Sequence, residues 1–464
     1  MAIAGAQRKQ VLKVLMISLL LDLISFTFIL PLFPSLLTFY RTQDTSSSSK
    51  TSLLTKILHY LNAYKNAFAL PIDSRYDIVL LGGALGSLFS LLQAIAAPII
   101  GHLSDRHGRR RALLISMVGN IASVALWVSA KDFRTFLASR VVGGLSEANV
   151  QLADAIVGDV TDEAGRSGCM ALIGACFSVA FTVGPVLGAA LGSVDVVKDN
   201  PFFVAAGVSL GFVVVETGFI WAFLPETHPR FTLLEKEEKS RPSAGEGEKK
   251  VEVKKQQQQQ KSLKEPTHIH TNNPAILNAL HFLFLLPFAG LEFSLPFFTA
   301  TLYADTTSSS SSPAALNGRL LSLMGLIASL LQGTVVRRLP PLTTIRIGVI
   351  ACAISFFLLA RVETVAGLYA AGGLLAVTSA TVVTGLKSLG SFEARDLDRG
   401  AVMGRLRGWG QAGRATGPVL FCSLFWWAGR EVAYSVGGVA MVAVTGAVFL
   451  LLKAPVVQGR AKAD

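Results

Sequence analysis

Charge is what this sequence has least of. Only 16% of its 464 residues are Asp, Glu, Lys or Arg, against about 25% in a soluble globular chain. So few charges cannot clothe a surface that faces water, and a mean hydropathy of +0.52 points the same way. Cysteine is also sparse. Cys169, Cys176, Cys352 and Cys422 lie in or beside apolar stretches, with neither metal-ligand spacing nor a disulfide framework. A phosphate-binding loop, a metal-binding signature and a nucleophile elbow are all missing, which argues against ATP-driven transport and against an enzyme. No Asn-x-Ser/Thr sequon marks an outer face.

Long apolar runs are what the chain has instead. A helix of about 20 mostly apolar residues crosses a hydrocarbon core about 30 Å thick. Such runs lie near 11–39, 78–100, 112–130, 134–157, 168–192 and 202–224, and again near 275–303, 318–336, 343–360, 364–386, 400–427 and 432–452. This pattern predicts an all-α membrane protein with twelve transmembrane helices in two six-helix pseudo-repeats, 1–227 and 274–464. The interval 228–273 holds Glu235-Lys236-Glu237-Glu238-Lys239 and the run Gln256 to Gln260. It cannot bury apolar surface and reads as a disordered cytosolic linker. The outer interval from Tyr40 to Tyr76 contains an amphipathic piece, Leu53 to Leu70, read as a helix lying on the membrane surface.

Basic residues orient the chain. With both termini in the cytosol, the inner segments hold most of the 42 Lys and Arg, and the short loop bearing Arg106, Arg109, Arg110 and Arg111 is the clearest sign. Topology therefore explains the net charge of +12, and no nucleic-acid partner is needed. The first segment lacks a small-residue cleavage site and reads as an uncleaved anchor.

The two halves echo each other. Ser90-Leu91-Leu92-Gln93 in the second segment recurs as Ser329-Leu330-Leu331-Gln332 in the eighth. Arg166, Met170 and Gly184-Pro185-Val186-Leu187 recur at one constant offset as Arg399, Met403 and Gly417-Pro418-Val419-Leu420. Two six-helix halves joined by a linker are the organisation of a rocker-type transporter.

After the second segment comes Gly101-His102-Leu103-Ser104-Asp105-Arg106-His107-Gly108-Arg109-Arg110-Arg111. Gly101 and Gly108 allow close helix approach and a tight turn. Asp105 is expected at the N-terminus of the eleventh segment near Gly400, where the helix dipole favours an anion. The arginines are expected to meet acids that close the fourth segment, such as Asp159. A positive-inside anchor alone would account for the arginines but not for Asp105 and the glycines. The run resembles motif A of the major facilitator superfamily at every defining position, and the twelve-helix resemblance covers nearly all the chain outside the two long loops. It implies a latch between conformational states built from Gly101, Asp105, Arg106, Gly108, Arg109, Arg110 and Asp159. The second-half copy, Gly333 to Arg338, keeps only the glycine and Arg337-Arg338, so the latch is expected to be one-sided.

Gly174, Gly184-Pro185 and Gly188 in the fifth segment resemble motif C of antiporter branches, with Ala180 in place of one glycine. Gly184-Pro185 and Gly417-Pro418 either kink their helices or provide small packing surfaces, as does Gly188. Asp22 ahead of Pro31 and Pro34, together with Leu224-Pro225-Glu226-Thr227-His228, is similar to the tetracycline-exporter branch, and Arg140-x-x-x-Gly144 resembles motif B. Leu20 to Thr27, Gly290-Leu291-Glu292 and Val402-Met403-Gly404 narrow the resemblance to its eukaryotic tetracycline-transporter-like subgroup. The glutamine run and the serine-rich loops depart from it.

An ionisable group at the bilayer centre costs about 2.5–3.5 kcal/mol on insertion scales, so each calls for a partner or a purpose. Asp22 lies near the middle of the first segment, and Arg140, Gly144, Glu147, Gln151 and Asp154 form one polar stripe along the fourth. Asp22 is assigned the proton, because low dielectric disfavours a charged carboxylate; Glu147 and Glu292 stand in reserve. Arg140 and Arg414, permanently charged, are candidate anion clamps, and Gln93, Gln151 and Gln332 are candidate substrate contacts. A static pair of Glu147 with Arg140 is the structural alternative. Arg405 and Arg407 are read as snorkelling to the cytosolic edge, and Glu216 and His281 as local helix contacts.

The reading that follows is a secondary active transporter working by alternating access. The resemblance implies proton-coupled export of organic anions or of amphipathic drugs such as tetracyclines. An uncoupled facilitator of a small organic solute and a non-transporting receptor or scaffold are the alternatives. No metal or cofactor is called for. The expected partners are a small-molecule substrate, protons and the lipid bilayer, with the chain a monomer in the plasma membrane or in an endomembrane such as the lysosome or vacuole.

Overall fold

The computed structural model describes residues 5–46, 52–67, 77–192, 194, 197, 200–232, 271–304 and 313–455. Most of the expected linker, and the amphipathic piece beyond Ala67, lie outside the described residues. Among the described residues all regular structure is helical.

The first span is two helices, α1 (Gly5–Thr27) and α2 (Ile29–Ser46). The Pro31 ring would clash with the Thr27 carbonyl in an unbroken helix, and the chain steps at Phe28. The Thr27 hydroxyl bonds back to Leu23 O at 2.9 Å and across to Ala180 O at 3.2 Å. Next comes α3 (Leu53–Asn66), capped by Ser52. It is tied to protein rather than to lipid alone: the Tyr64 hydroxyl lies 2.6 Å from Ser423 Oγ, and Lys65 pairs with Asp77 at 2.7 Å.

The second and third spans are α4 (Asp77–His107) and α5 (Arg109–Val128). The fourth departs from the expected single helix. It is α6 (Phe133–Ser146) and α7 (Asn149–Val160), with non-helical backbone at Glu147 and Ala148. The polar stripe from Arg140 to Asp154 is therefore interrupted. Backbone groups freed inside a membrane must be satisfied locally. Here Ser116 of α5 does it, donating to Ser146 O at 2.5 Å and accepting from Ala148 N–H at 3.1 Å. The spans α8 (Glu163–Gly192) and α9 (Phe203–Phe223) complete the first half.

The second half consists of α10 (Pro274–Ala304), α11 (Pro313–Thr334), α12 (Pro341–Arg361), α13 (Val365–Glu393) and α14 (Arg399–Leu451). The last element is two spans. Gly429, at φ 84°, breaks it with a conformation that favours glycine. Among the described residues, counted as crossings, the helices number six and six.

Each half has its own apolar core. One large cluster gathers only second-half residues, among them Phe284, Phe356 and Tyr434. Two others draw only on the first half, around Leu19 and Ile156 and around Leu36 and Phe136. Thin apolar seams join the halves, through Leu80, Cys422 and Trp426 and through Ala171, Ala328 and Ala380. Outward faces are apolar as well: Ile115, Val186, Trp427 and Leu450 are exposed, as a lipid-facing surface requires.

Candidate functional site

The polar chemistry gathers at one end of the seam between halves and in the centre of the first half. Arg8 pairs with Asp162 at 2.7 Å, and Asn272 accepts from Lys453 N–H at 2.7 Å. Arg8 and Lys453 therefore lie on the same side as the loop that joins α4 to α5.

At that end Asp105 caps α14. Its carboxylate accepts from Gly400 N–H at 2.8 Å and Ala401 N–H at 2.7 Å, where the helix dipole favours an anion. The approach needs glycine: a Cβ at Gly101 would strike the Gly400 carbonyl, and one at Gly404 would lie 2.5 Å from Ala97 O. Arg109 is fully buried and binds Asp105 at 2.5 Å, Ser104 at 2.7 Å and Asp159 at 2.8 Å. Asp159 in turn accepts from Arg399 of the second half at 2.6 Å. Arg106 is exposed and takes no part in this cluster. Arg110 caps the α9 end through Trp221 O.

Glu226 closes the network from below. It accepts from the backbone N–H of Arg109 (2.8 Å), Arg110 (3.2 Å), Thr227 (3.0 Å) and His228 (2.9 Å). It thus holds the N-terminus of α5 next to Gly108, at φ 98°. Burial, and then the Arg109 charge, hold His228 below the usual imidazole range, so this neighbour is neutral at pH 7. Glu226 and Arg399 carry no assignment in the sequence reading. The fixed repeat of Arg166 and Arg399 was the available signal for the second.

That repeat also shows why the network has one side. Arg166, the counterpart of Arg399, reaches Ser391 O at 3.1 Å and lies 5.0 Å from the Phe392 ring. Phe392 stands where Asp159 stands in the other half. An aromatic face replaces the carboxylate.

Motif-C-like glycines pack rather than bend. A Cβ at Gly184 would strike Thr27 Oγ1, and one at Gly188 the Phe28 backbone, while α8 runs unbroken through Pro185. Gly417, beside Pro418, likewise abuts Leu286 O of α10.

Asp22, Arg140 and Glu147 line one cavity of about 40 Å³, with Ser25, Asn120 and Ser209; that is room for a few waters. The whole lining comes from the first half. Asp22 is 5% exposed, and its Oδ2 has no hydrogen-bond partner. Arg140 bonds Ser139 Oγ at 2.9 Å and lies 5.5 Å from the Phe136 ring, with Glu147 within its electrostatic reach. Glu216 is not a local contact. It is fully buried and accepts from Ser18, one turn before Asp22, at 3.0 Å. Nor is His281 local: its Nδ1 lies 2.8 Å from Leu406 O of α14.

Along the seam, Arg407 corrects the snorkelling assignment. Its Nη2 lies 3.4 Å from Gln93 Oε1 of α4, whereas Arg405 is exposed. Gln332 answers from the second half, accepting from Ser178 at 2.6 Å. Gln151 holds Ala97 O at 3.0 Å. Arg414 and Glu292, expected to act separately, form a pair at 3.4 Å within the second half. Lys387, at the edge of the tenth apolar run, reaches Asp154 across the seam at 2.9 Å; sequence reasoning missed it.

Two repeated six-span halves, clasped at one end by a Gly–Asp–Arg cluster, define the fold of a two-domain membrane transporter. A family model for the Major Facilitator Superfamily matches residues 15–418, and the chain belongs to that superfamily, whose members are transporters. It is 34% identical over 434 residues to major facilitator superfamily domain-containing protein 10 of Mus musculus, covering 93% of this chain and 90% of the relative. The crystal structure of the human organic anion transporter MFSD10 (TETRAN) matches with a TM-score of 0.79 at 31% identity, over 95% of this chain and 99% of that one. The class C tetracycline resistance protein of Escherichia coli is 37% identical over 124 residues, 27% of this chain and 31% of that relative.

Proposed function

We propose that this protein exchanges organic anions for protons across its membrane by alternating access. The observation that carries the proposal is Asp22: a carboxylate with one unpartnered oxygen, buried in a cavity beside Glu147 and Arg140. A buried carboxylate that accepts a proton loses a charge it cannot easily keep in low dielectric. Proton binding at Asp22, with Glu147 in reserve, thereby biases which way the halves rock. Arg140 and Gln93 are the groups an anion meets from the first half, and Arg407 and Gln332 from the second. The kinship with a protein described as an organic anion transporter supports the substrate class. The Asp105–Arg109–Asp159–Arg399 cluster holds the end bearing the termini shut while the other end admits or releases substrate. Both termini and this latch lie in the cytosol, a monomer suffices, and the host membrane is the plasma membrane or an endomembrane.

The test uses purified protein in liposomes with an internal pH dye, screened against organic anions and tetracyclines. Substrate-driven proton movement is expected, abolished in Asp22→Asn. Substrate uptake without proton movement, unchanged in the variant, would make the protein an uncoupled facilitator and Asp22 a structural residue.

A further inference from the structure

Deeper than the latch, a second ionic contact crosses the seam. Lys387 of α13 and Asp154 of α7 lie 2.9 Å apart, with side chains only 11% and 2% exposed. The ammonium also stands 5.7 Å from the ring centroid of Phe177, on α8. Both partners of Lys387 therefore belong to the first half, while Lys387 belongs to the second. The other Asp154 oxygen, Oδ1, is buried and has no hydrogen-bond partner. Arg407, also of the second half, lies within electrostatic reach of Lys387 and Asp154. Arg414 is already matched by Glu292 of its own half. Beyond Arg399, which the latch already uses, Lys387 and Arg407 are thus the cations of the second half that stand near Asp154 of the first.

Parting the halves removes both partners of Lys387 at once. An uncompensated ammonium in a membrane interior is costly, so the parted state calls for a replacement anion at this point. We infer that Lys387, flanked by Arg407, binds the anionic head of the substrate, a carboxylate or sulfonate, and that Asp154 is its built-in competitor. The inference rests on the anion reading above. In the closed arrangement the protein's own carboxylate occupies the place of the substrate's. When the halves part, substrate and Asp154 exchange at the same ammonium, so an empty carrier is held back and a loaded one is released.

Full-length protein in detergent, probed by thermal shift and fluorescence titration, tests it. The probes are benzoate, 1-naphthalenesulfonate and fluorescein, with benzamide as the uncharged control. The wild type is expected to bind at least one anion and not the amide. Asp154→Asn should tighten that anion at least tenfold, by removing the competitor. The neutral pair Asp154→Asn/Lys387→Gln should weaken it at least tenfold, and Lys387→Arg should retain it. The double variant removes both members of the buried pair together, so it keeps the test open if a single variant fails to fold. Equal anion affinity in the wild type and the folded double variant would overturn this inference alone. No preference for anions in the wild type would overturn the anion reading, and this inference with it.

Discussion

Asp159→Asn is the change that weighs the latch in numbers. Asp159 is fully buried and accepts from Arg109 at 2.8 Å and Arg399 at 2.6 Å. The Arg109 pair lies within the first half and survives when the halves part; only the Arg399 pair distinguishes the two states. Breaking one side of a buried ion pair costs about 3–5 kcal/mol. An asparagine still accepts one hydrogen bond, so the lower figure, about 3 kcal/mol, applies. At about 1.4 kcal/mol per tenfold, the closed-to-open ratio at the terminal end should fall about a hundredfold. Pulsed electron spin resonance reads this directly, with spin labels on cysteines placed at His102 and Leu397, both exposed and on opposite halves. The four native cysteines would be replaced by alanine. A longer distance should become the major population, and Asp159→Asn/Arg399→Gln should return part of the short one. An unchanged distance distribution in a stably folded Asp159→Asn would refute the reasoning, because it would mean the buried pair does not bias the halves.

Two further changes probe the backbone. In Gly101→Ala the added methyl meets the Gly400 carbonyl, which no side-chain rotation can relieve; at about 1–3 kcal/mol for such overpacking, transport should drop at least tenfold while the melting temperature changes by only a few degrees. Wild-type transport in this variant would sink the close-approach argument. Ser116→Ala strips the partner from Ser146 C=O and Ala148 N–H, at about 1–3 kcal/mol for each buried group left unsatisfied; scanning calorimetry should find it markedly less stable than Ser116→Thr, and equal stabilities would show that the hydroxyl does not hold the break.

The spans were legible because apolar runs of membrane length admit few other structures, and the position of Asp105 was legible because a helix N-terminus and two glycines recur at fixed places around it. The break at Glu147 was not. No proline marks it, and what supports it is a hydroxyl on a different helix. Arg407 looked like an edge residue because its height along one helix was all that could be counted; its direction toward Gln93 depends on how α14 crosses α4. Lys387 fell just past an apolar run and so dropped out of the inventory of buried charges. Glu292 and Arg414 were visible as charges within apolar spans, yet nothing along the chain says that they meet.

By itself, then, the sequence determined the membrane, the repeat, the basic end and the glycines that let helices touch, all of which follow from local composition and spacing. Only tertiary structure decided the pairing: which carboxylate faces which cation, and whether the two belong to the same half. The physical reason is range. Hydrophobic periodicity acts over one helix turn or one span, whereas an ion pair such as Asp159 with Arg399 or Asp154 with Lys387 forms between residues more than two hundred positions apart, and its existence depends on the crossing of helices that each half had first to fold.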